Sequence, residues 1–464
     1  MMNTYTKNYW SLYLDFIQDF EKLKYNGLTL SYIVHFPSLI RKNTEIWNEL
    51  HNKEFAGQLR NQVKDQKEFQ EVFDKYIQSL KKNTIVKNKQ GKVIIIADRL
   101  IRIPRKTFDD YFDPLQTLII MTGTKLDKAT NIPTKYINDY KSETKKAIIE
   151  GGNQARAIFK SYEGHHLYKD ENFKEIFLNK ISAVINQIEI INNILGEVSA
   201  SCIVVSSTNH FGRVVALVAA EKGIPTICMQ HGIIGNEFGY MPKIATVDAV
   251  YGNFEVDWYK NMGVPKESLE IIGHPRFDQA FEPSTITKSK FDKQLGLDEG
   301  KKTLLIVVRR DRNIGKWKIL IDTISNQLDI NILIKDFPND TPHALNKEFP
   351  FVNSTEAFDL YDILHNVDCV VSYTSTVALE AMLADKPVFI LHNKLPSYTD
   401  YYNSLDELVQ INPQKLGELI IKYFNDPSWG GYVKEIRENF LSYAYPDFSR
   451  SSERLKKLIY RVMS

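Results

Sequence analysis

The sequence predicts an α/β fold of two domains, each a parallel sheet covered on both faces by helices, behind a helical N-terminal segment. Three observations carry this expectation. From Gly91 onward, short β-branched runs alternate with helical patterns. Those runs carry few charges, as strands buried on both faces do. A polar stretch over 281–302, FEPSTITKSKFDKQLGLDEGKK, then separates one alternating set from a second. A length of 464 residues, too great for one ordinary core, agrees with two domains.

Residues 1–90 form the helical segment. Trp10, Tyr13, Leu14 and Ile17 recur at i, i+3, i+4 and i+7, one apolar stripe. Over 41–82 an apolar residue every three or four predicts one or two exposed helices. The first domain spans 91–280. Its strands are expected at 93–97, 117–121, 202–207, 225–230, 246–252 and 269–273, with a long helix over 171–195 and shorter ones over 213–223 and 254–263. The second domain spans 281–440, with strands at 303–308, 330–337, 368–373 and 387–392 and helices over 318–328, 354–366 and 374–386. In the remainder, 441–464, Leu455, Leu458, Ile459 and Val462 share one helical face, so a docking helix is expected.

A formal charge of +2 gives no argument for a nucleic-acid partner. Cys202, Cys228 and Cys369 sit in or beside apolar runs, too scattered for disulfides or a zinc site. No signal peptide and no membrane span is apparent. A cytoplasmic protein is expected. The basic clusters RKNTEIW (41–47), VKNKQGK (86–92), RIPRK (102–106) and ERLKKLIYR (453–461) leave peripheral contact with the inner face of the membrane open.

Ligands of parallel sheets bind outside the carboxyl ends of the strands. Five strand ends here carry polar groups or glycine: Thr208–Arg213, Gln230–Gly235, His274–Arg276, Lys335–Pro338 and Ser372–Thr376. In MQHGIIGNEFGY (229–240), His231 is suited to hydrogen-bonding a phosphate or acting as acid or base, and Gly232 admits close backbone approach. The alternative is a turn whose histidine satisfies a carbonyl. Arg276 suits a phosphate or carboxylate, or a rigid interdomain hinge. Arg309 and Arg310 suit a diphosphate. Ser372, Thr374, Ser375 and Thr376 precede a helix whose N-terminus can hold phosphate, and Glu380 suits a ribose or the turn itself. In SYEGHH (161–166), Glu163 is a candidate base or a surface carboxylate. No P-loop, GxSxG or HExxH motif is present, and no metal site is expected.

GIPTICMQHG (223–232), IIGHPRFD (271–278) and VSYTSTVALEAMLADKPVFI (371–390) together resemble GT-B glycosyltransferases, with two Rossmann-like domains facing a cleft. The nearer likeness is to the bacterial surface-polysaccharide group, which takes in capsule and Kdo transferase-like proteins and CDP-glycerol glycerophosphotransferases. The resemblance implies that the second domain holds the nucleotide and its phosphates through Arg309, Lys335, Ser375, Thr376 and Glu380. It places Glu163, Asn209, His210 and His231 on the catalytic, acceptor side, and turns His274 towards the donor phosphate. It implies no cofactor and no bound metal. The sequence departs from the pattern at Lys335-Asp336-Phe337-Pro338, where relatives often carry a histidine.

The resulting expectation is transfer of a sugar, a CMP-linked acidic sugar among the options, from a nucleotide-activated donor to a glycan or lipid-linked glycan acceptor of the bacterial surface. Glycerophosphate transfer from CDP-glycerol, nucleotide-sugar 2-epimerisation and a non-catalytic scaffold within a polysaccharide assembly complex are the alternatives.

Overall fold

The structure, a computed structural model, describes residues 2–81, 90–123, 130–336, 342–355, 358–393, 397–447 and 450–464. A small antiparallel pair, β1 (Lys24–Tyr25) and β2 (Leu28–Thr29), lies in the N-terminal segment. The first large sheet contains β3 (Lys92–Ala97), β4 (Thr117–Met121), β5 (Thr134–Tyr136), β6 (Ala200–Val205), β7 (Thr226–Met229), β8 (Val247–Val250) and β9 (Leu269–Ile271). The second contains β10 (Thr303–Val308), β11 (Asn331–Asp336), β12 (Val352–Ser354), β13 (Cys369–Tyr373), β14 (Val388–Leu391) and β15 (Val409–Gln410).

Their spatial orders are β5-β4-β3-β6-β7-β8-β9 and β12-β11-β10-β13-β14-β15, parallel throughout. Both run outward in two directions from their first strand, the doubly wound order. The strand direction reverses its progress between β3 and β6 in one sheet and between β10 and β13 in the other. Crevices open at those two points, beyond the strand ends. β6 and β10 are buried along their whole length and β13 at all but Tyr373, which is why their sequences read as nearly continuous apolar runs.

The short edge strands β5, β12 and β15 are absent from the sequence expectation. Each has two or three residues with polar members, too little pattern to register. The helix expected over 354–366 is Leu360–Asn366. The helix expected from 213 begins at His210, whose φ of +46° hides the start from any helical pattern.

The N-terminal segment does not stand apart. Tyr9, Tyr13 and Phe16 of the helix Thr4–Asp19, with Phe36, Phe69 and Phe73, share one apolar core with Phe177 of the helix Glu171–Glu197 and with the helix His210–Glu221. The helices over 41–82 are correspondingly less exposed than their composition suggests, since Phe69 and Phe73 are fully buried. All three cysteines are buried thiols.

The C-terminal helix, Ser451–Met463, leaves the second domain and docks on the first. Leu455, Leu458 and Ile459 pack with Val93, Ile95 and Cys202. Its start is capped from outside. Asp278 accepts from the Ser451 and Ser452 N–H groups at 2.8 and 3.0 Å. A capping carboxylate of this kind contributes about 1 kcal/mol.

Candidate active site

The first domain's rim begins after β3. Asp98 accepts from the Leu100 and Ile101 N–H groups and from the Ser206 hydroxyl, the last at 2.6 Å. These bonds join the turn after β3 to the turn after β6, across the crevice. After β7, Gln230 anchors the loop. Its amide donates to the Gly232 carbonyl (2.8 Å) and to Glu255 (2.9 Å), and accepts from the Tyr251 N–H. Gln230 is therefore occupied in holding the turn.

His231, the next residue, is the group so presented. Its ring stacks on Tyr240, with centroids 5.4 Å apart and planes within 12°. Burial lowers its pKa, while Asp98 and the backbone of Ser206 oppose the shift and Arg102 adds to it. The imidazole is neutral at pH 7 and can accept a proton. Gly232 leaves little room for a side chain. A Cβ there would lie 3.1 Å from the Thr376 hydroxyl, which accepts from the Ile233 N–H at 3.1 Å. This loop and the start of the helix Thr376–Leu383 thus bring the two rims together.

The GHPRFD segment (273–278) is a latch between domains. Gly273 has φ +69°, and a Cβ would collide with the Tyr445 hydroxyl. That hydroxyl accepts from the His274 N–H. The His274 ring, 3% exposed, accepts from the Arg276 N–H at 3.0 Å. Burial and then Arg276 hold it well below the ordinary histidine range. Arg276 donates to Glu380 at 2.7 Å, and Tyr361 donates to the other Glu380 oxygen at 2.7 Å. Each oxygen of Glu380, a residue 1% exposed, thus has a protein donor.

In the second domain, Ser372 and Ser375 hydrogen-bond each other, Thr374 bonds the His392 ring, and the Ser375 carbonyl accepts from Tyr402. Lys335 is buried and donates to the Thr355 and Phe358 carbonyls. Arg309 and Arg310 are exposed after β10, with the Arg310 N–H on Asp336 at 2.7 Å. Phe337 and Pro338 lie outside the described residues, as does most of the basic cluster VKNKQGK.

The structure thus gathers His231, Gly232, His274, Arg276, Thr376 and Glu380 at one interdomain contact, with Gln230 behind it. Asn209 joins them through its side chain, which donates to the Gly239 carbonyl at 2.9 Å. His210, at the start of the helix His210–Glu221, meets the His35 ring edge-on at 4.9 Å and is not among them. Glu163 does not join. It is exposed on the turn after the helix Lys145–Ser161, where neighbouring Tyr162 stacks under Arg60 and Tyr168 bonds Asp19 of the N-terminal segment.

Sequence reasoning passed over Asp98, Tyr240, Glu255 and Arg102. Arg102 has φ +43° and faces Arg276, Glu380, Tyr251 and Tyr373. The residue as a whole is solvent-exposed, but protein crowds its charged end, and burial followed by Arg276 lowers its pKa. Its available signal was its place after β3, at the crevice. Glu255 is buried behind Gln230, and burial raises its carboxyl to about 7. Among the described residues, no three His, Cys, Asp or Glu side chains are grouped to hold a metal, and no helix is long and apolar enough to cross a membrane.

Residues 254–460 match the family model of CDP-glycerol:poly(glycerophosphate) glycerophosphotransferases. No curated protein matches the chain. Among solved structures, the wall teichoic acid polymerase TagF is similar at 13% identity, with 92% of this chain and 98% of that one covered and a TM-score of 0.50. A UDP-GlcNAc 2-epimerase from Neisseria meningitidis, bound to UDP-GlcNAc, is similar at 12% identity, 80% and 99% coverage and a TM-score of 0.54. A glycosyltransferase from Rickettsia africae gives 12%, 81% and 99%, and 0.50. These structures show the GT-B fold. The family match in the second half makes the chain a nucleotide-dependent transferase.

Proposed function

We propose that this chain transfers a glycerophosphate unit, or a closely related polyol phosphate, from a CDP-linked donor to a hydroxyl of a cell-surface polymer. The observation that carries this reading is the family match, whose residues 254–460 take in the latch at His274–Asp278 and the whole second-domain rim. It moves glycerophosphate transfer ahead of the sugar transfer expected from sequence. Sugar transfer from a nucleotide-activated donor is the second reading, because residues 91–253 lie outside the match and contribute the His231 loop.

The reading implies a chemical route. An acceptor hydroxyl attacks the phosphorus that carries glycerol. A new O–P bond forms, the bridging P–O bond breaks, and CMP leaves with the bonding pair. The hydroxyl proton passes to the neutral His231 imidazole, which burial keeps unprotonated and Tyr240 keeps oriented. Arg102 and the exposed Arg309 and Arg310 are the cations at hand for the phosphates, without a resident metal in this reading. The site is proposed to work in the cytoplasm, against the inner face of the membrane, where such donors and lipid-linked acceptors meet.

The test is product mass. Incubation with CDP-glycerol and a glycerophosphate-primed acceptor should release CMP and lengthen the acceptor by one glycerophosphate unit. Lengthening by a sugar from UDP- or CMP-sugar instead, with none from CDP-glycerol, would overturn the reading in favour of the second.

A further inference from the structure

The N-terminal segment lies outside the family match, yet its side chains reach the His231 loop. The junction is Glu237, 5% exposed, in the short 3-10 turn Glu237–Gly239. Trp10 of the helix Thr4–Asp19 donates its indole N–H to Glu237 Oε1 at 3.2 Å. Gln66, the first residue of the helix Gln66–Leu80, donates its amide to Oε2 at 3.1 Å. Each carboxylate oxygen therefore has a neutral donor from the N-terminal segment. Burial raises the Glu237 carboxyl, and these two bonds oppose the shift. A buried carboxylate bonded to neutral donors is costly, and an apolar side chain would pack at lower cost. What the carboxylate adds is direction, since two bonds fix the rotation of the turn as well as its depth.

Phe238 follows Glu237 into the same segment. Its ring stacks on Tyr9, with centroids 3.8 Å apart, and meets Trp10, Tyr5 and Trp47 at 5.8, 6.0 and 6.2 Å. From this turn the constraint runs to the reacting group. The Glu237 carbonyl accepts from the Tyr240 and Met241 N–H groups at 3.1 and 2.8 Å. The Tyr240 hydroxyl lies 2.8 and 3.1 Å from the Gly232 and Ile233 carbonyls, and its ring stacks on His231. Contact is thus unbroken from Trp10 and Gln66 to the imidazole.

The other end of the loop is tied to the second domain. The Ile233 N–H donates to Thr376, the Thr399 hydroxyl donates to the Ile234 carbonyl, and Asn236 pairs with Tyr398. The loop 231–240 is stretched between two anchorages, and the N-terminal segment supplies one of them.

We infer that Glu237 is a positioning residue for His231: through it the N-terminal segment sets the turn that carries Tyr240, and Tyr240 sets the imidazole. The inference rests on the reading of His231 as the base. It gives the N-terminal segment a part in the reaction without any contact with substrate.

The test exchanges the partners of one hydrogen bond in the full chain. Gln66→Glu sets a second carboxylate against Glu237. It should lower kcat with CDP-glycerol and a short synthetic glycerophosphate oligomer at least tenfold, with the Kd for CDP-glycerol within twofold of wild type. In Gln66→Glu/Glu237→Gln a donor again faces an acceptor, with the roles exchanged, and an amide oxygen remains for Trp10. Its kcat should return to within about threefold of wild type. Gln66→Ala, a milder change at a half-buried position, should lower kcat about threefold.

A second readout needs no turnover. The His231 imidazole carbon resonance in histidine-labelled protein, assigned with His231→Gln, should move in Gln66→Glu and return in the double variant. An unchanged kcat and an unchanged resonance in Gln66→Glu overturn the inference. So does a folded double variant that recovers neither. A loss of donor affinity matching the loss of kcat would mark a general loosening of the cleft and overturns it as well. A resonance that moves and returns in a chain that transfers no glycerophosphate leaves the positioning in place and overturns the transfer reading.

Discussion

The two rims share a doubly wound strand order and differ in which polar groups protein has already engaged. In the second domain most of the polar side chains noted in the sequence are bonded to protein: Ser372 to Ser375, Thr374 to His392, Lys335 to two carbonyls, Glu380 to Arg276 and Tyr361. In the first, Gln230 and Asn209 are likewise bonded to protein, burial keeps His231 neutral beside Tyr240, and the buried Arg213 donates to three carbonyls and the Tyr13 hydroxyl. A polar residue at a strand end is thus not in itself a ligand contact. Latches and contacts have the same composition, and only the partner tells them apart.

The comparison can be broken by substitution. The largest effect is expected at His231. His231→Ala should reduce transfer by about 10²–10⁴-fold, the range of general base catalysis, with the melting temperature little changed. Because burial lowers the pKa of His231, the wild-type rate should hold as pH falls through 6.5, and a loss centred at or above 6.5 would argue against it as the base. Glu380→Ala should act on the fold instead. It leaves the buried Arg276 without its carboxylate, a loss of roughly 3–5 kcal/mol read by denaturant unfolding.

Glu255 sharpens the distinction between holding and reacting. Its carboxyl is raised from 4.5 to about 7, so the folded state binds a proton that the unfolded state has lost. Stability should therefore fall as pH rises from 4.5 through 7, by about 3 kcal/mol in all, and Glu255→Gln should flatten that slope. Thr376→Val removes one hydrogen bond to Ile233 and should cost about 1 kcal/mol. Glu163→Gln, on an exposed turn, should leave transfer within about twofold of wild type, and a large loss would bring Glu163 back to the catalytic side.

Much of this was legible in the sequence. The inner strands announce themselves because burial on both faces demands apolar residues at every position, and QHG stood out because glycine and histidine directly follow such a run. The face Leu455–Leu458–Ile459 was visible for the same reason, although not what it docks on, since no residue in a helix specifies a distant partner. The donor-side roles expected of His274, Glu380 and Lys335 came from the resemblance, and no sequence pattern reveals that these side chains also bond Arg276, Tyr361 and two carbonyls. Arg213 closed one of the five strand-end segments and Arg102 belonged to a basic cluster, with no sign of what either meets. What distinguishes them is tertiary: one crosses the crevice, and the other is buried without a carboxylate.

The return of the C-terminal helix to the first domain has a mechanical consequence. The polypeptide passes between the domains twice, near 275–282 and near 445–451, and the two passages are tied together by Tyr445 with His274 and by Asp278 with Ser451. Two adjacent straps define an axle. The passages lie side by side, on the same edge of the contact that the His231 loop and the Thr376 helix close through the Ile233–Thr376 bond. A chain ended at residue 440 would lose one strap and lay bare the patch that Leu455, Leu458 and Ile459 cover. The first domain is therefore not a continuous length of sequence, and its last piece is made after the second domain is complete.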